Sequence, residues 1–245
     1  NFDNVEITIV EDSLVIKPVA VHVTITKHGA EYEYDGLSHE VKGYDFESDN
    51  ELFVRNDLKF TGASEDSIAT GTLVGKYGMT FTASSFENMN PNFDNVEITI
   101  VEDSLVITPR ENVVVTITKH SETVIYDGEE HTVSGYEFES SDPLYIESYM
   151  KFTGEEADSI ATGKEIGSYG MTFDNTYFEN INENFKDVTF VVNSNDSLVI
   201  NALEGIIVMI TEHADTFIYD GESHTVKGYD VAINSDLYKV SDFTF

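Results

Sequence analysis

The amino-acid sequence predicts an all-β fold made of small domains in tandem. One motif, Tyr-Asp-Gly followed by a His, a Val and a Gly-Tyr pair, occurs three times, with its Asp-Gly glycines at Gly36, Gly128 and Gly221. These glycines are 92 and 93 positions apart. A repeat of that length corresponds to a domain rather than to one turn of a solenoid. Short strand patterns recur about every ten residues between Gly, Asn and Asp, without a sustained helical period. We therefore expect β-sandwich-like or β-grasp-like domains arranged as an elongated rod.

The repeat divides the chain into two complete copies and two partial ones. Residues 19–109 and 110–202 are predicted to be complete domains, because equivalent glycines are separated by 92 and then 93 positions. Residues 1–18 are predicted to be the C-terminal hairpin of an incomplete preceding repeat. Residues 203–245 are predicted to be the N-terminal half of an incomplete repeat, ending at the counterpart of Phe152.

The partial copies leave two expectations open. Residues 1–16 are identical to residues 92–107, and each partial copy has an apolar strand face that needs a partner. A lone hairpin is at best marginally stable in water, and its edges invite pairing with another chain. Either the chain is a segment of a longer fibre, or its ends complete each other between molecules. The first is preferred, because the two fragments together lack the equivalent of residues 61–91.

The first strand of each repeat is predicted from alternating apolar and polar side chains. The pattern covers residues 21–26, 113–118 and 206–211. In the third copy the second face carries Ile207 and Met209, which reflects either local packing or an interface.

The Asp-Gly pair that follows predicts a hairpin, because Gly accepts positive φ and Asp bonds its own backbone. In the strand after the turn the apolar phase shifts at Gly135, which predicts a bulge or bend there.

The remaining elements are predicted from the same alternation. Residues 144–152 and 169–173 have strand patterns, whereas residues 159–163 (Ser-Ile-Ala-Thr-Gly) are predicted to be a loop. Near the N-terminus, residues 5–9 and 14–16 predict two strands that pair as a hairpin across a polar turn.

Composition excludes several classes of function. Forty-six acidic and 13 basic residues give a formal charge of −33, which disfavours binding to nucleic acid or to an anionic membrane. No Cys is present, so disulfides and thiolate metal sites are excluded. No run of ~18 apolar residues predicts membrane insertion of this segment. The acidity favours a soluble, self-repelling array, with calcium binding or a high-salt habitat as alternatives.

The recurring histidines are candidates for metal ligands. His39, His131 and His224 each recur singly, without a further His or Cys at ligand spacing. We predict that each is a structural His bonded to the turn Asp four positions earlier. A second set is predicted to lie on the surface: His28, His120 and His213.

Oxygen-rich turns are candidates for calcium. They are Asp12-Ser13, Asp103-Ser104 and residues 193–196 (Asn-Ser-Asn-Asp). The sequence contains neither an EF-hand loop nor a Gly-Gly-x-Gly-x-Asp repeat. The expectation is no cofactor, with calcium possible.

An intramolecular Lys–Asn isopeptide bond is not expected. Lys59 and Lys151 are equivalent, but alternation with inward-facing neighbours such as Leu58 and Phe60 points both lysines outward. Thr244 replaces the Lys in the third copy.

No enzymatic signature is present. A nucleophile elbow, a His-Glu-x-x-His motif and a P-loop are all missing from the sequence. Paired carboxylates carry no weight in so acidic a chain. No catalytic, cofactor-binding or metal-binding residue is therefore predicted.

The combined pattern resembles a known family. Val-Thr-Ile-Thr, Tyr-Asp-Gly, His-Thr-Val-Ser-Gly-Tyr, Gly-Ser-Tyr-Gly-Met and Ser-Leu-Val-Ile, in this order and spacing, are similar to the Tyr-Asp-Gly repeats often called MBG-type domains. These domains occur in long cell-wall-anchored surface proteins of Gram-positive bacteria. The resemblance implies an extracellular, cell-surface, mostly β, non-enzymatic module of a fibrillar, adhesin-like protein. It supplies no catalytic residues.

Two function classes follow. The first is a structural stalk whose repeats adjoin one another, or copies of the chain, end to end. The second is a multivalent binding module for a host protein, such as an immunoglobulin, or for a glycan. Solvent-facing aromatic residues at equivalent positions of both complete copies would favour the second class.

Overall fold

The computed structural model describes residues 1–193 and 197–244, and its regular structure is almost entirely β. The strands are joined by turns that include seven 3-10 helices of three or four residues in the described part: Arg55–Asp57, Ser64–Ser67, Ala83–Ser85, Glu147–Tyr149, Glu156–Ser159, Asn175–Tyr177 and Val240–Asp242. No helix in the described ranges is long and apolar enough to cross a membrane. Most of the Asn-rich calcium candidate at residues 193–196, and the expected counterpart of Phe152 at position 245, lie outside the described residues.

The chain forms two compact units. The first comprises Asn1–Glu111 and Glu183–Lys186, and the second comprises Asn112–Asn182 and Asp187–Phe245. Within the first unit, the short segment Glu183–Lys186 is attached by a parallel bridge between Phe185 and Arg110.

The first unit contains ten strands. They are β1 (Val19–Lys27), β2 (Ala30–Glu33), β3 (His39–Lys42), β4 (Tyr44–Ser48), β5 (Leu58–Phe60), β6 (Ile68–Gly71), β7 (Gly75–Gly78), β8 (Phe86–Asn88), β9 (Phe93–Val101) and β10 (Ser104–Thr108). Two three-stranded sheets have the orders β4-β1-β9 and β2-β10-β7, and two-stranded sheets join β3 to β6 and β5 to β8. In each three-stranded sheet the central strand has one parallel and one antiparallel neighbour.

The core of the first unit lies against β1. Val23 and Ile25 are fully buried, as the alternation along this strand predicts. Aromatic rings fill the space beside them in edge-to-face contacts, for example Phe53 with Phe93 and Phe81 with Phe86 at centroid distances of 5.1 and 5.6 Å.

The second unit repeats this topology. Its strands are β11 (Val114–Lys119), β12 (Glu122–Ile125), β13 (His131–Ser134), β14 (Tyr136–Ser140), β15 (Met150–Phe152), β16 (Ile160–Gly163), β17 (Gly167–Tyr169), β18 (Phe178–Asn180), β19 (Thr189–Asn193) and β20 (Leu198–Asn201), followed by β21 (Val208–Glu212) and β22 (Tyr229–Ile233). The sheets β14-β11-β19 and β12-β20-β17 match those of the first unit, and β21 and β22 form an additional antiparallel pair.

The predicted hairpins are wrong. The strands on either side of the Asp-Gly turn, β2 and β3, lie in different sheets, as do β9 and β10. The turn therefore carries the chain from one sheet to another. Each strand finds its partner at long sequence distance, where burial of apolar faces outweighs the local turn signal.

Three other predictions need correction. Of the predicted strand over residues 169–173, only Tyr169 lies in a strand, at the end of β17. The predicted loop at residues 159–163 contains strand β16, which pairs with β13 and buries Ala161. The predicted strand over residues 144–152 is formed only at β15, because the 3-10 helix Glu147–Tyr149 precedes it.

Residues 1–18 form no strand, and every one of these residues is exposed. The identical residues 92–107 form most of β9 and β10, where β9 lies beside β1 and β10 beside β2 and β7. The same sequence thus becomes a strand only where neighbouring strands supply backbone partners and an apolar surface.

Candidate functional site

The Asp-Gly turn is built in the same way in all three copies. In the second copy, Asp127 Oδ1 accepts hydrogen bonds from the Glu129 backbone N–H at 2.9 Å and from His131 Nε2 at 3.0 Å. Gly128 has a φ of 81°, a conformation that favours glycine. The predicted contact between the turn Asp and its His is therefore confirmed.

The other two copies reproduce this geometry. His39 Nε2 lies 2.9 Å from Asp35 Oδ1, and His224 Nε2 lies 2.9 Å from Asp220 Oδ1. In both, an aromatic ring stacks on the imidazole: Tyr32 on His39 at 4.1 Å and Phe217 on His224 at 4.2 Å between centroids. The second copy has Val124 at this position.

The turn carboxylates are held in their ionised form. The Leu37 N–H and then the His39 ring lower the pKa of Asp35, and the corresponding groups lower those of Asp127 and Asp220. A carboxylate that accepts two hydrogen bonds is stabilised as the anion. The arrangement orients the turn, and in the first two copies it fixes the His at the start of the next strand, β3 or β13.

Most of the residues considered as metal ligands lie in the part of the chain that the structure describes, so their surroundings can be examined. Among residues 1–193 and 197–244, no group of three or more His, Cys, Asp and Glu side chains is arranged to hold a metal ion. Asp103 accepts a hydrogen bond from the Ser104 N–H at 2.8 Å, and its carboxylate lies against Gly29, where a Cβ would clash with it. Asp12 makes the same local bond to the Ser13 N–H.

The second set of histidines, predicted to lie on the surface, also makes hydrogen bonds to the backbone. His28 Nδ1 lies 2.9 Å from the Lys42 carbonyl oxygen, and its Nε2 lies 3.1 Å from Asp45 Oδ1. The Asp45 side chain and then the Lys42 carbonyl raise the pKa of His28. The ring borders Gly43, whose φ of 90° marks the predicted bend between β3 and β4.

The other two copies keep the carbonyl contact of this His. His213 Nδ1 lies 3.2 Å from the Lys227 carbonyl oxygen, and its Nε2 lies 3.1 Å from Asp230 Oδ1. His120 Nδ1 lies 2.8 Å from the Ser134 carbonyl oxygen, and Glu137 stands at the position of Asp45. The recurrence of a His 15 positions before the Gly of each Gly-Tyr pair is the sequence signal for this contact.

Lys27 is a buried cation that sequence reasoning missed. Its side chain is 3% exposed and donates to the Met79 carbonyl oxygen at 2.8 Å and to the Glu102 carboxylate at 2.9 Å. The ammonium also lies 4.7 Å from the centroid of Phe81, within the range of a cation–π contact. The last residue of β1 is therefore a buried charged side chain whose ammonium has hydrogen-bond partners, rather than an apolar side chain.

Lys119 occupies the same position in the second unit. It donates to the Met171 carbonyl oxygen at 2.8 Å, and partial burial lowers its pKa while Asp174 opposes this shift. Lys59 and Lys151 lie at exposed central positions of β5 and β15, so their predicted outward orientation is confirmed.

The geometry therefore describes a structural turn and a structural bend in all three copies, and a structural lysine that is buried in the first unit and half-buried in the second. Comparison of the chain with protein-family models, curated proteins and solved structures found no significant match.

Proposed function

We propose that the chain is a structural stalk or fibre repeat of an extracellular bacterial surface protein, without enzymatic activity. The resemblance to Tyr-Asp-Gly repeats, the recurrence of one domain-length repeat and the charge of −33 support this proposal. The observation that carries it is the pairing of strands from the two ends of each complete repeat. β1 lies parallel to β9 and β2 lies parallel to β10, and the second repeat has the same pairs.

This pairing suits a protein that bears tension. When a repeat is pulled from its two ends, the force acts on the start of β1, which is held by its parallel ladder with β9, and on the end of β10, which is held by its parallel ladder with β2. Parallel strands loaded at opposite ends slide along each other, so the hydrogen bonds between them share the load. Antiparallel strands pulled from adjacent ends separate one bond at a time. A stalk needs the first kind of resistance.

Force spectroscopy on engineered handles tests this proposal. The chain has no Cys, so Ala20→Cys and Pro109→Cys provide specific attachment points. They load β1 near its start and β10 at its end. A matched control places the handles at Ala20 and Asp49, at the adjacent ends of the antiparallel strands β1 and β4. We expect a higher unfolding force for the first pair at the same pulling speed. Equal or lower force would contradict the stalk proposal.

The rod arrangement remains a prediction of the repeat spacing. Small-angle scattering of the chain in dilute solution measures it directly. We expect a maximum dimension much larger than that of a single domain, and a compact globule would contradict the rod.

A multivalent binding module is the second candidate. Among the described residues of the two complete repeats, the exposed aromatic side chain is Tyr32, whose equivalent is Val124, so equivalent exposed aromatics do not support it. An exposed aliphatic pair does recur: Val54 and Met89 are 52% and 54% exposed, and their equivalents Ile146 and Ile181 are 48% and 55% exposed.

Binding to immobilised immunoglobulin G and to a glycan array tests the second candidate. If the aliphatic pair is the contact, Val54→Asp and Ile146→Asp should weaken capture together more than either change alone. Exposed Glu87→Ala and Glu179→Ala, at equivalent positions on β8 and β18, are the matched controls.

A further inference from the structure

Residues 183–186 belong to the second repeat in the sequence, but they pack as part of the first unit. The segment lies between β18 and β19 and meets the start of the second repeat at Arg110. The Arg110 N–H donates to the Asn184 carbonyl oxygen at 3.0 Å, and the Lys186 N–H donates to the Arg110 carbonyl oxygen at 2.9 Å. These two bonds hold the Asn-Phe pair of the segment, Asn184 and Phe185, next to the end of the first repeat.

The Phe185 ring packs on the tyrosine of the first Tyr-Asp-Gly motif. Tyr34 and Phe185 are in edge-to-face contact, with ring centroids 5.5 Å apart and ring planes at 79°. Both residues are buried, at 8% and 3% exposure. The Tyr34 N–H donates to the Thr108 carbonyl oxygen at 2.9 Å, which places the tyrosine beside the end of β10. A motif residue of the first repeat is thus covered by a residue of the second repeat.

The Asn184 side chain makes a second, polar contact with the first repeat. Its Oδ1 accepts a hydrogen bond from the Val74 N–H at 2.9 Å, although the two residues are 110 positions apart. Val74 is half-buried and lies in the connection between β6 and β7. A backbone N–H that is withdrawn from water needs an acceptor. The Asn-Phe pair therefore supplies both an apolar ring and a hydrogen-bond acceptor to the first repeat.

We propose that the Asn-Phe pair of one repeat and the motif tyrosine of the repeat before it form a lock that couples the folding of consecutive repeats. Both complete repeats contain the two halves of this lock: Tyr34 with Asn92-Phe93, and Tyr126 with Asn184-Phe185. The second repeat holds its tyrosine in the same way, since the Tyr126 N–H donates to the Asn201 carbonyl oxygen at 2.8 Å at the end of β20. A contact with two different halves can recur from one repeat to the next.

The lock assigns a role to the tyrosine of the motif, which the contact between the turn Asp and its His does not involve. In a tandem array, stability is the sum of the contributions of single repeats and of the contacts between neighbours. A contact between neighbours therefore opposes the opening of a single repeat, which is useful in a stalk under load. The inference rests on the stalk proposal for this purpose, and it deepens that proposal by naming the partner of each repeat, the repeat that follows it.

Hydrogen exchange of the whole chain, followed separately in the two units, tests the lock. Phe185→Ala removes the ring that covers Tyr34, so the β1 amides of the first unit should exchange at least about fivefold faster, the effect of one lost aromatic pair. The matched control is Phe178→Ala, because Phe178 is 7% exposed and packs on Tyr136 and Phe173 of the second unit. It should accelerate exchange in β11 and leave β1 unchanged. Acceleration of β11 alone by Phe185→Ala would refute the lock.

Milder changes keep the test decisive if Phe185→Ala fails to fold. Tyr34→Leu and Phe185→Leu should each accelerate exchange in β1. The double variant should accelerate it by less than the product of the two separate factors, because both changes remove the same contact. If the factors multiply, the two rings are independent and the inference is wrong.

The polar half of the lock has its own measurement, the exchange of the Val74 amide observed by NMR. Asn184→Leu keeps a side chain of similar size but removes the acceptor, so this amide should lose protection, whereas Asn184→Asp retains an acceptor oxygen and should preserve it. Equal protection in the two variants would contradict the contact. Failure of the lock leaves the comparison of the two handle pairs unchanged, and equal unfolding forces would contradict the stalk while the exchange results still showed the lock.

Discussion

The turn histidine ties the Asp-Gly turn to the strand that follows it. His131→Ala removes the 3.0 Å hydrogen bond to Asp127, so we expect a loss of about 1 kcal/mol in the free energy of unfolding, the usual contribution of one such bond. Urea denaturation measures the loss. The exposed neighbour change Glu130→Ala is the control and should have little effect. Addition of EDTA should leave both curves unchanged, and a chelator-dependent shift would contradict a purely structural His.

The second His should make stability depend on pH. The pKa of His28 is raised in the folded state by Asp45 and the Lys42 carbonyl, so its protonated form is favoured by folding. This contribution to the free energy of unfolding is fully present below 6.5, the ordinary pKa of a His, and is lost as pH rises through the higher folded pKa. NMR titration of the imidazole measures that pKa directly. Asp45→Asn should lower it, and an unchanged titration would show that Asp45 is not the cause.

Sequence reasoning found the turn Asp and His but missed the buried lysine, and distance along the chain explains the difference. Asp127 and His131 are four positions apart, so one local motif contains both partners. The partners of Lys27, Met79 and Glu102, lie 52 and 75 positions away. Nothing in the local sequence around Lys27 distinguishes a buried ammonium from the exposed end of a strand.

At the scale of elements, the bend between β3 and β4 depends on glycine. Gly43 has a φ of 90°, and an added Cβ would lie 3.3 Å from His28 Nδ1. A side chain in a left-handed conformation costs about 1–2 kcal/mol, so Gly43→Ala should lower the free energy of unfolding by that amount or more. Gly78→Ala is the matched control, because an added Cβ there meets no atom within 4 Å. Denaturation curves that coincide for the two variants would contradict this role.

The strands themselves were more predictable than their partners. Alternation predicted the buried face of β1 because the period of a strand depends only on its own residues. Pairing depends on which apolar faces meet, and the predicted hairpins failed for that reason. The pattern Ser-Ile-Ala-Thr-Gly mixes residues that favour strands, Ile and Thr, with Ala and Gly, which do not, and β13 supplies the backbone partners with which β16 forms.

At the scale of the whole molecule, the chain contains its own control for the effect of context on folding. Residues 1–16 and 92–107 have the same side chains and the same intrinsic propensities. One copy is exposed without strands, and the other forms strands beside β1, β2 and β7. The difference between them therefore arises from long-range partners, since β1, β2 and β7 lie beside residues 92–107 and residues 1–16 form no strand.

Hydrogen exchange in a dilute, low-salt monomer should reveal this difference. We expect the amides of residues 1–16 to exchange rapidly, since they form no strand, and those of residues 93–101 to be protected by the ladder with β1. Peptides of identical sequence have identical masses, so the fragments must extend past Ile16 and Ile107 to Lys17 or Thr108, where the copies diverge. Equal protection of the two copies in the monomer would mean that residues 1–16 have a folded partner within their own molecule, and the predicted repeat boundaries would then be wrong.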